Sequence, residues 1–289
     1  MSAGVVGVEE LPHLLPEREL AKAGDENFPV ALRLLSQAWR DQLMAIYGYA
    51  RFVDDVGDLV EGDRRAQLDW VEAELDRALR HESNHPIFTG AARVADATGV
   101  GRRPFVDLID ANRQDQEVTR YSSFDELLGY CALSANPVGR LVLAVFDARD
   151  ELSVELSDSI CSGLQIVEHL QDVGEDYASG RVYLPMEDLA RFGVDVGVLG
   201  QPHATAALRR IIAFESARAR ALLMTGIPLV GRVPGRARLA IAGFIGGGLA
   251  QLEAIERSSY DVLGGRVKAS RRDIARWAVG VLASRRARR

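Results

Sequence analysis

Apolar residues recur at i, i+3, i+4 and i+7 along most of the chain, and no stretch alternates at period two. That pattern predicts helices with one buried face throughout. Residues 1–16 are read as irregular. A short helix over 17–24 ends at Gly24, and a new one opens in DENFPVALRLL, with Asp25 as its N-cap. A long helix follows over 38–60 and stops at Gly62-Asp63, where Asp63 can cap the next. Over 63–81, Leu68, Val71, Leu75 and Leu79 share one face of an amphipathic outer helix.

His81 and His85 flank Pro86 and are expected in an exposed turn. Helices are predicted over 87–98 and 104–118, the second opening at Pro104. Asp107, Asp110 and Asp115 interleave with Arg113 and Arg120, which reads as an ion-paired surface. Ser123 with Glu126 forms a capping box for a helix over 124–147, kinked by Pro137 among small residues. A helix over 153–178 ends at Ser179-Gly180. Beyond it come a short helix in MEDLARFGV, a basic amphipathic helix over 203–224, a loop over 226–236, and helices over 237–263 and 270–284. The apolar run at 239–252 is short of the roughly 18 residues of a membrane span and reads as a buried helix loosened by three glycines. The expectation is one all-α domain over 20–284, with an irregular segment at 1–19 and a basic tail at 285–289.

Composition supports a packed domain: 47% of the 289 residues are hydrophobic, enough for a sizeable core. The net charge of −6 and the lack of a basic stripe before the C-terminus argue against nucleic-acid binding. Cys131 and Cys161 form no C-x-x-C pair, so a reduced, cytoplasmic compartment is expected. The N-terminus has no basic n-region or sustained apolar h-region, so no signal peptide is read there.

The chemistry concentrates in two stretches. In QIVEHLQDVGEDYASGRVYLP (165–185), Glu168, Asp172 and Asp176 are four apart. On a helix they stack on one face, where like charges repel. Apolar Ile166, Val167, Leu170 and Val173 lie between them, so the row sits partly in a core and needs a cation or a basic partner. Hard divalent cations take oxygen ligands. In RFVDDVGD (51–58), Asp54 and Asp58 repeat the spacing, with Asp55 beside them. A lone D-x-x-x-D is common on solvated faces; two, each in an apolar helix, are expected to face one another across a helical cavity.

Those stretches also carry a resemblance. ENFPVA (26–31), AIYGYARFVDDVGD (45–58), YSSFDELLGYCALSANPVGRLVL (121–143) and GLQIVEHLQDVGEDYASGRVYLP (163–185) resemble the squalene/phytoene synthase family of class I isoprenoid synthases. The segment 237–266 looks like that family's C-terminal helix pair. E-N-F-P-V and S-A-N-P-V-G-R look most like its bacterial hydroxysqualene-forming branch of hopanoid synthesis. Many members carry Asn where this chain has Glu168, an oxygen donor with an added charge.

The resemblance implies an isoprenoid-synthase helical bundle around a central cavity. It implies about two to three Mg²⁺ ions that neutralise a leaving diphosphate, held by Asp54, Asp55, Asp58, Glu168, Asp172 and Asp176. Arg51, Gln165, Arg181, Arg266 and Phe28 would contact the substrate, although Arg51 could equally pair with Asp55 or Asp58. Tyr47, Tyr130, Asn136 and Tyr183 would shape the cation's surroundings, aromatic faces stabilising positive charge. Phe52 is a further wall candidate. In this branch presqualene diphosphate would be ionised, rearranged and captured by water, without NADPH. The alternatives are head-to-head condensation of two prenyl diphosphates and a non-catalytic prenyl-lipid-binding protein. The partner would be a prenyl diphosphate, with no nucleic acid. Transient peripheral contact with the inner face of the membrane is also expected, the basic tail touching anionic lipid.

Overall fold

The structure is a computed structural model and describes residues 35–60, 62–284 and 287. Among these it is all-α. Its only β pairing is an isolated bridge between Arg120 and Val182. The chain divides into two compact units: residues 1–117 with 137–149, and residues 118–136 with 150–289.

The first unit holds α1 (Gln37–Asp58), α2 (Arg64–Leu79), α3 (Pro86–Thr98), α4 (Arg103–Asp115) and nearly all of α6 (Asn136–Val145). Its caps follow the sequence. Ser36 accepts from the N–H of Trp39, and Asp63 from that of Ala66. Leu68, Val71 and Leu75 are fully buried. Tyr49 anchors the core, edge-on to Phe88 and Phe105, with its hydroxyl donating to the Phe105 carbonyl at 3.1 Å. Burying each such ring stabilises by about 1.5 to 3 kcal/mol.

His81 lies in the exposed turn the sequence predicts, but His85 does not. Its ring is edge-on to Phe52, Trp70 and Phe88, at 5.4, 6.1 and 4.8 Å. Both ring nitrogens are buried without a hydrogen-bond partner, and burial lowers its pKa.

The second unit holds α5 (Phe124–Ser134), α7 (Glu151–Gln171), α8 (Val173–Ala178), α9 (Met186–Phe192), α10 (Ala206–Thr225), α11 (Leu229–Arg232), α12 (Ala237–Arg257) and α13 (Arg271–Ala283). Four boundaries differ from expectation. The helix expected over 124–147 breaks at Ala135, because Pro137 cannot donate to the preceding turn. The helix expected over 153–178 breaks at Asp172, whose φ of −103° and ψ of 14° lie outside the helical range. The loop at 226–236 contains the short α11. The helix α12 ends at Arg257 rather than 263, and Ser259 and Tyr260 then adopt positive φ.

By length and composition α12 could cross a membrane, yet 72% of its apolar window is buried by the protein itself. Gly246 is needed there: a Cβ would lie 2.6 Å from the Ala278 backbone nitrogen of α13. Glycine permits that close helix–helix approach.

Candidate active site

In the first unit, the last turns of α1 carry the first carboxylate row. Asp54 and Asp58 are exposed, whereas Asp55 is buried at 4% exposure. Arg51 Nη2 lies 3.1 Å from Asp55 Oδ1, so the ion pair foreseen for Arg51 forms with Asp55. Asp54 is fixed from α4, where Asn112 Nδ2 donates to its Oδ1 at 3.0 Å. Gln116 donates to the carbonyl of Gly57 at 3.1 Å. Tyr47 is half-buried on the same helix, and its hydroxyl oxygen is shielded from solvent.

In the second unit, the break at Asp172 keeps the row stacked. The Asp172 N–H still donates to Glu168 O at 3.0 Å, and that of Asp176 to Asp172 O at 2.7 Å. Glu168, Asp172 and Asp176 therefore remain one turn apart although Asp172 itself leaves the helical conformation. Burial, then the charges of Glu168, Asp176 and Glu175, push the Asp172 carboxyl up to about 6, and exposed Arg266 offsets part of this. Asp176 Oδ2 is buried without a hydrogen-bond partner. A buried carboxylate oxygen without a hydrogen bond, beside a carboxyl with a raised pKa, is an arrangement that positive charge would stabilise.

Aromatic rings cover this row. Tyr183 is 8% exposed and Tyr130 6%. Tyr183 stacks on Tyr121 with centroids 5.8 Å apart, and Tyr130 lies 5.5 Å from Tyr183. The strand-like bridge sets this register: the Val182 N–H donates to Thr119 O at 2.8 Å, and that of Met186 to Tyr121 O at 2.9 Å. On its other face Tyr183 meets His169, centroids 3.7 Å apart and planes 14° from parallel. Gln165 Nε2 lies 3.2 Å from His169 Nε2. The Arg181 N–H donates to Asp176 O at 2.9 Å, with its side chain half-buried. Asn136 is buried, and its Oδ1 accepts from Ser162 Oγ at 3.0 Å.

Each unit thus gathers one row with its own neighbours. Phe28 and the ENFPV stretch lie outside the described residues. Asn112, Tyr121, Ser162 and His169 were not singled out from the sequence. For His169 a signal exists: it is four residues beyond Gln165 on the same helix face.

The carboxylates fit Mg²⁺ by chemistry. Among the described residues no three side chains converge as a preformed cage. Mg²⁺ takes one or two carboxylates, keeps several waters and completes its shell with substrate phosphate oxygens.

Comparisons with known proteins identify the family and the fold. The family profile described as Squalene/phytoene synthase matches residues 21–273. The chain is 37% identical over 213 residues to a hydroxysqualene synthase of Rhodopseudomonas palustris, covering 72% of each. It is 30% identical over 272 residues to a phytoene synthase of Mycobacterium tuberculosis, covering 92% of this chain and 89% of that one. Among solved structures, a squalene synthase of Alicyclobacillus acidocaldarius superposes with a TM-score of 0.78 at 39% identity, covering 84% and 92%. The fold is therefore that of the squalene synthase-like isoprenoid synthases, and the chain belongs to the squalene/phytoene synthase family of enzymes.

Proposed function

We propose that the protein converts presqualene diphosphate to hydroxysqualene in a Mg²⁺-dependent reaction. The observation that supports the ionising step is Asp176 Oδ2, buried and without a hydrogen bond, beside Asp172, whose pKa is raised. The likeness to a hydroxysqualene synthase supports presqualene diphosphate as the substrate.

Mg²⁺, when bound, would supply Lewis-acid neutralisation of the leaving diphosphate. Asp54 and Asp58 on α1, and Glu168, Asp172 and Asp176 on α7–α8, would hold it. Asp55, buried against Arg51, contributes through that pair. Gln165, Arg181 and Arg266 offer hydrogen bonds and positive charge to the phosphate oxygens. The carbon–oxygen bond breaks with both electrons going to pyrophosphate. The Tyr130 and Tyr183 faces, with Tyr47, shield and stabilise the cation. After rearrangement, water adds through oxygen and loses one proton, giving the alcohol. Nothing in this balance needs a hydride, so NADPH is not required. An insoluble polyprenyl substrate fits a cytoplasmic enzyme working at the inner face of the membrane.

The test is incubation with presqualene diphosphate and Mg²⁺, without NADPH, in ¹⁸O-labelled water. Hydroxysqualene carrying ¹⁸O, with stoichiometric pyrophosphate, is expected. The second reading is prenyl diphosphate condensation, favoured by the match to a phytoene synthase over 92% of this chain. Consumption of farnesyl or geranylgeranyl diphosphate instead, with presqualene diphosphate left intact, would establish that reading.

A further inference from the structure

We propose that His169 is a positioning residue of the second carboxylate row, holding the Tyr183 ring with its face and the Asp176 carboxylate with Nδ1. The inference rests on the diphosphate-ionising reading above. It adds a residue that no feature of the two aspartate motifs demands.

Three observations converge on one imidazole. Its face lies on Tyr183 at 3.7 Å and 14°, closer than any other described ring pair of this cluster. Its Nε2 is 3.2 Å from Gln165 Nε2. Its Nδ1 points at Asp176 Oδ2 at 3.7 Å, and that oxygen has no hydrogen-bond partner. His169 is only 10% exposed through its side chain, so these contacts are not those of a solvated rotamer. His169, Asp176 and Tyr183 also line one small enclosed cavity with Val173, Val182 and Leu184.

Ring packing alone would be served by phenylalanine. A plain core residue would not aim one nitrogen at an amide and the other at an unsatisfied carboxylate. Groups that orient a ligating carboxylate change metal affinity by about 10- to 100-fold when removed. A residue gripping both Asp176 and Tyr183 ties the position of the leaving-group carboxylate to that of the aromatic wall.

Two variants separate the two grips. His169→Phe keeps a flat ring against Tyr183 and removes both nitrogens. His169→Asn places an amide nitrogen near the position of Nδ1 and removes the ring. Binding of Mn²⁺ in the presence of inorganic pyrophosphate is read by electron paramagnetic resonance on the full chain. Tyrosine packing is read by near-ultraviolet circular dichroism, and folding by the thermal midpoint. His169→Phe should keep the wild-type midpoint and tyrosine signal while weakening Mn²⁺ binding by about tenfold or more. His169→Asn should recover most of the Mn²⁺ affinity and alter the tyrosine signal. Wild-type Mn²⁺ affinity in His169→Phe, or a loss in His169→Asn equal to that in His169→Phe, overturns the assignment. Should wild-type protein itself fail to bind Mn²⁺ with pyrophosphate, the metal reading of the row fails and takes this inference with it. That outcome differs visibly from wild-type binding shared by His169→Phe.

Discussion

Asn112 reaches Asp54 across the surface of α1, Nδ2 to Oδ1 at 3.0 Å, over a position that has no side chain. A Cβ at Gly57 would lie 2.0 Å from Asn112 Oδ1 and 2.8 Å from its Cγ. The glycine within D-D-V-G-D thus lets a neighbouring helix orient a carboxylate, and that use offsets its poor helix propensity. Gly57→Ala should gain about 1 kcal/mol of propensity and lose about 1 to 3 kcal/mol to overpacking. The expected net result is a lower thermal midpoint and a higher Mg²⁺ requirement. In an Asn112→Ala background the same substitution should turn neutral or stabilising. A double-mutant cycle by denaturant titration checks this, and additive effects would show that Asn112 and Gly57 do not interact.

Asp172 sets a pH dependence of the metal-free protein. Its folded pKa is raised to about 6, by burial and by neighbouring carboxylates, above the roughly 3.9 of an unfolded Asp. Between those values the folded state binds the proton more tightly, so stability falls as pH rises from about 4 to about 6. Asp172→Asn should flatten that slope, raise the midpoint of the metal-free protein near neutral pH and abolish turnover. Thermal melts from pH 4 to 7 with and without Mg²⁺ read it. An unchanged slope in the variant would assign the pH dependence to another group.

A second buried carboxyl lies outside the carboxylate rows. Glu215 is 1% exposed, and burial pushes its pKa up to about 8; Arg218 opposes the shift and Asp188 adds to it. Arg218 Nη1 bonds Asp188 Oδ2 at 2.5 Å and Glu215 Oε1 at 2.8 Å, and its guanidinium lies 4.3 Å from the Phe124 and Phe214 ring centroids. Since the folded pKa exceeds the unfolded one of about 4.3, this group stabilises below that value and loses the contribution as pH rises through about 8. Glu215→Gln should remove the slope between pH 5 and 8, as followed by urea unfolding. Arg218→Met should cost about 3 kcal/mol, at the low end for a broken buried pair because Arg218 is 26% exposed.

Those side chains mark where sequence patterns stop being informative. Helical periodicity foretells which face of α2 is buried, and Asp63 and Ser123 cap where their residue types predict. Local chemistry decides such features. Periodicity cannot register the break at Asp172, because the four-residue hydrogen bonds persist through it. His85 illustrates the other limit. Pro86 makes a turn there, as expected, yet Phe52, Trp70 and Phe88 come from three different helices to enclose the ring. Asn112 over Gly57 and the stack of Tyr121 on Tyr183 are likewise tertiary meetings of segments some 55 to 62 residues apart. The D-x-x-x-D spacing marks candidate carboxylates, but not which neighbours orient them.

In the proposed reaction the product depends on how water meets the cation, and Asn136 is the residue on which that step can be tested. It opens α6 directly before Pro137, which has no N–H to donate. Asn136 is 6% exposed, and its Oδ1 is held by Ser162 Oγ at 3.0 Å. With that oxygen engaged, the amide nitrogen is the group by which Asn136 would orient a water in the proposed step. Asn136→Ala should therefore lower the ratio of alcohol to hydrocarbon and abortive products from presqualene diphosphate, measured by mass spectrometry without NADPH. Ser162→Ala, which frees the Asn136 amide to rotate, should shift the ratio in the same direction by a smaller amount. Asn136→Asp keeps the Ser162 bond but replaces the amide donor with a carboxyl oxygen, and should resemble Asn136→Ala in product ratio while keeping its thermal midpoint nearer wild type. An unchanged ratio in all three variants would remove Asn136 from water capture. Squalene formed only when NADPH is added would overturn the hydroxysqualene assignment itself.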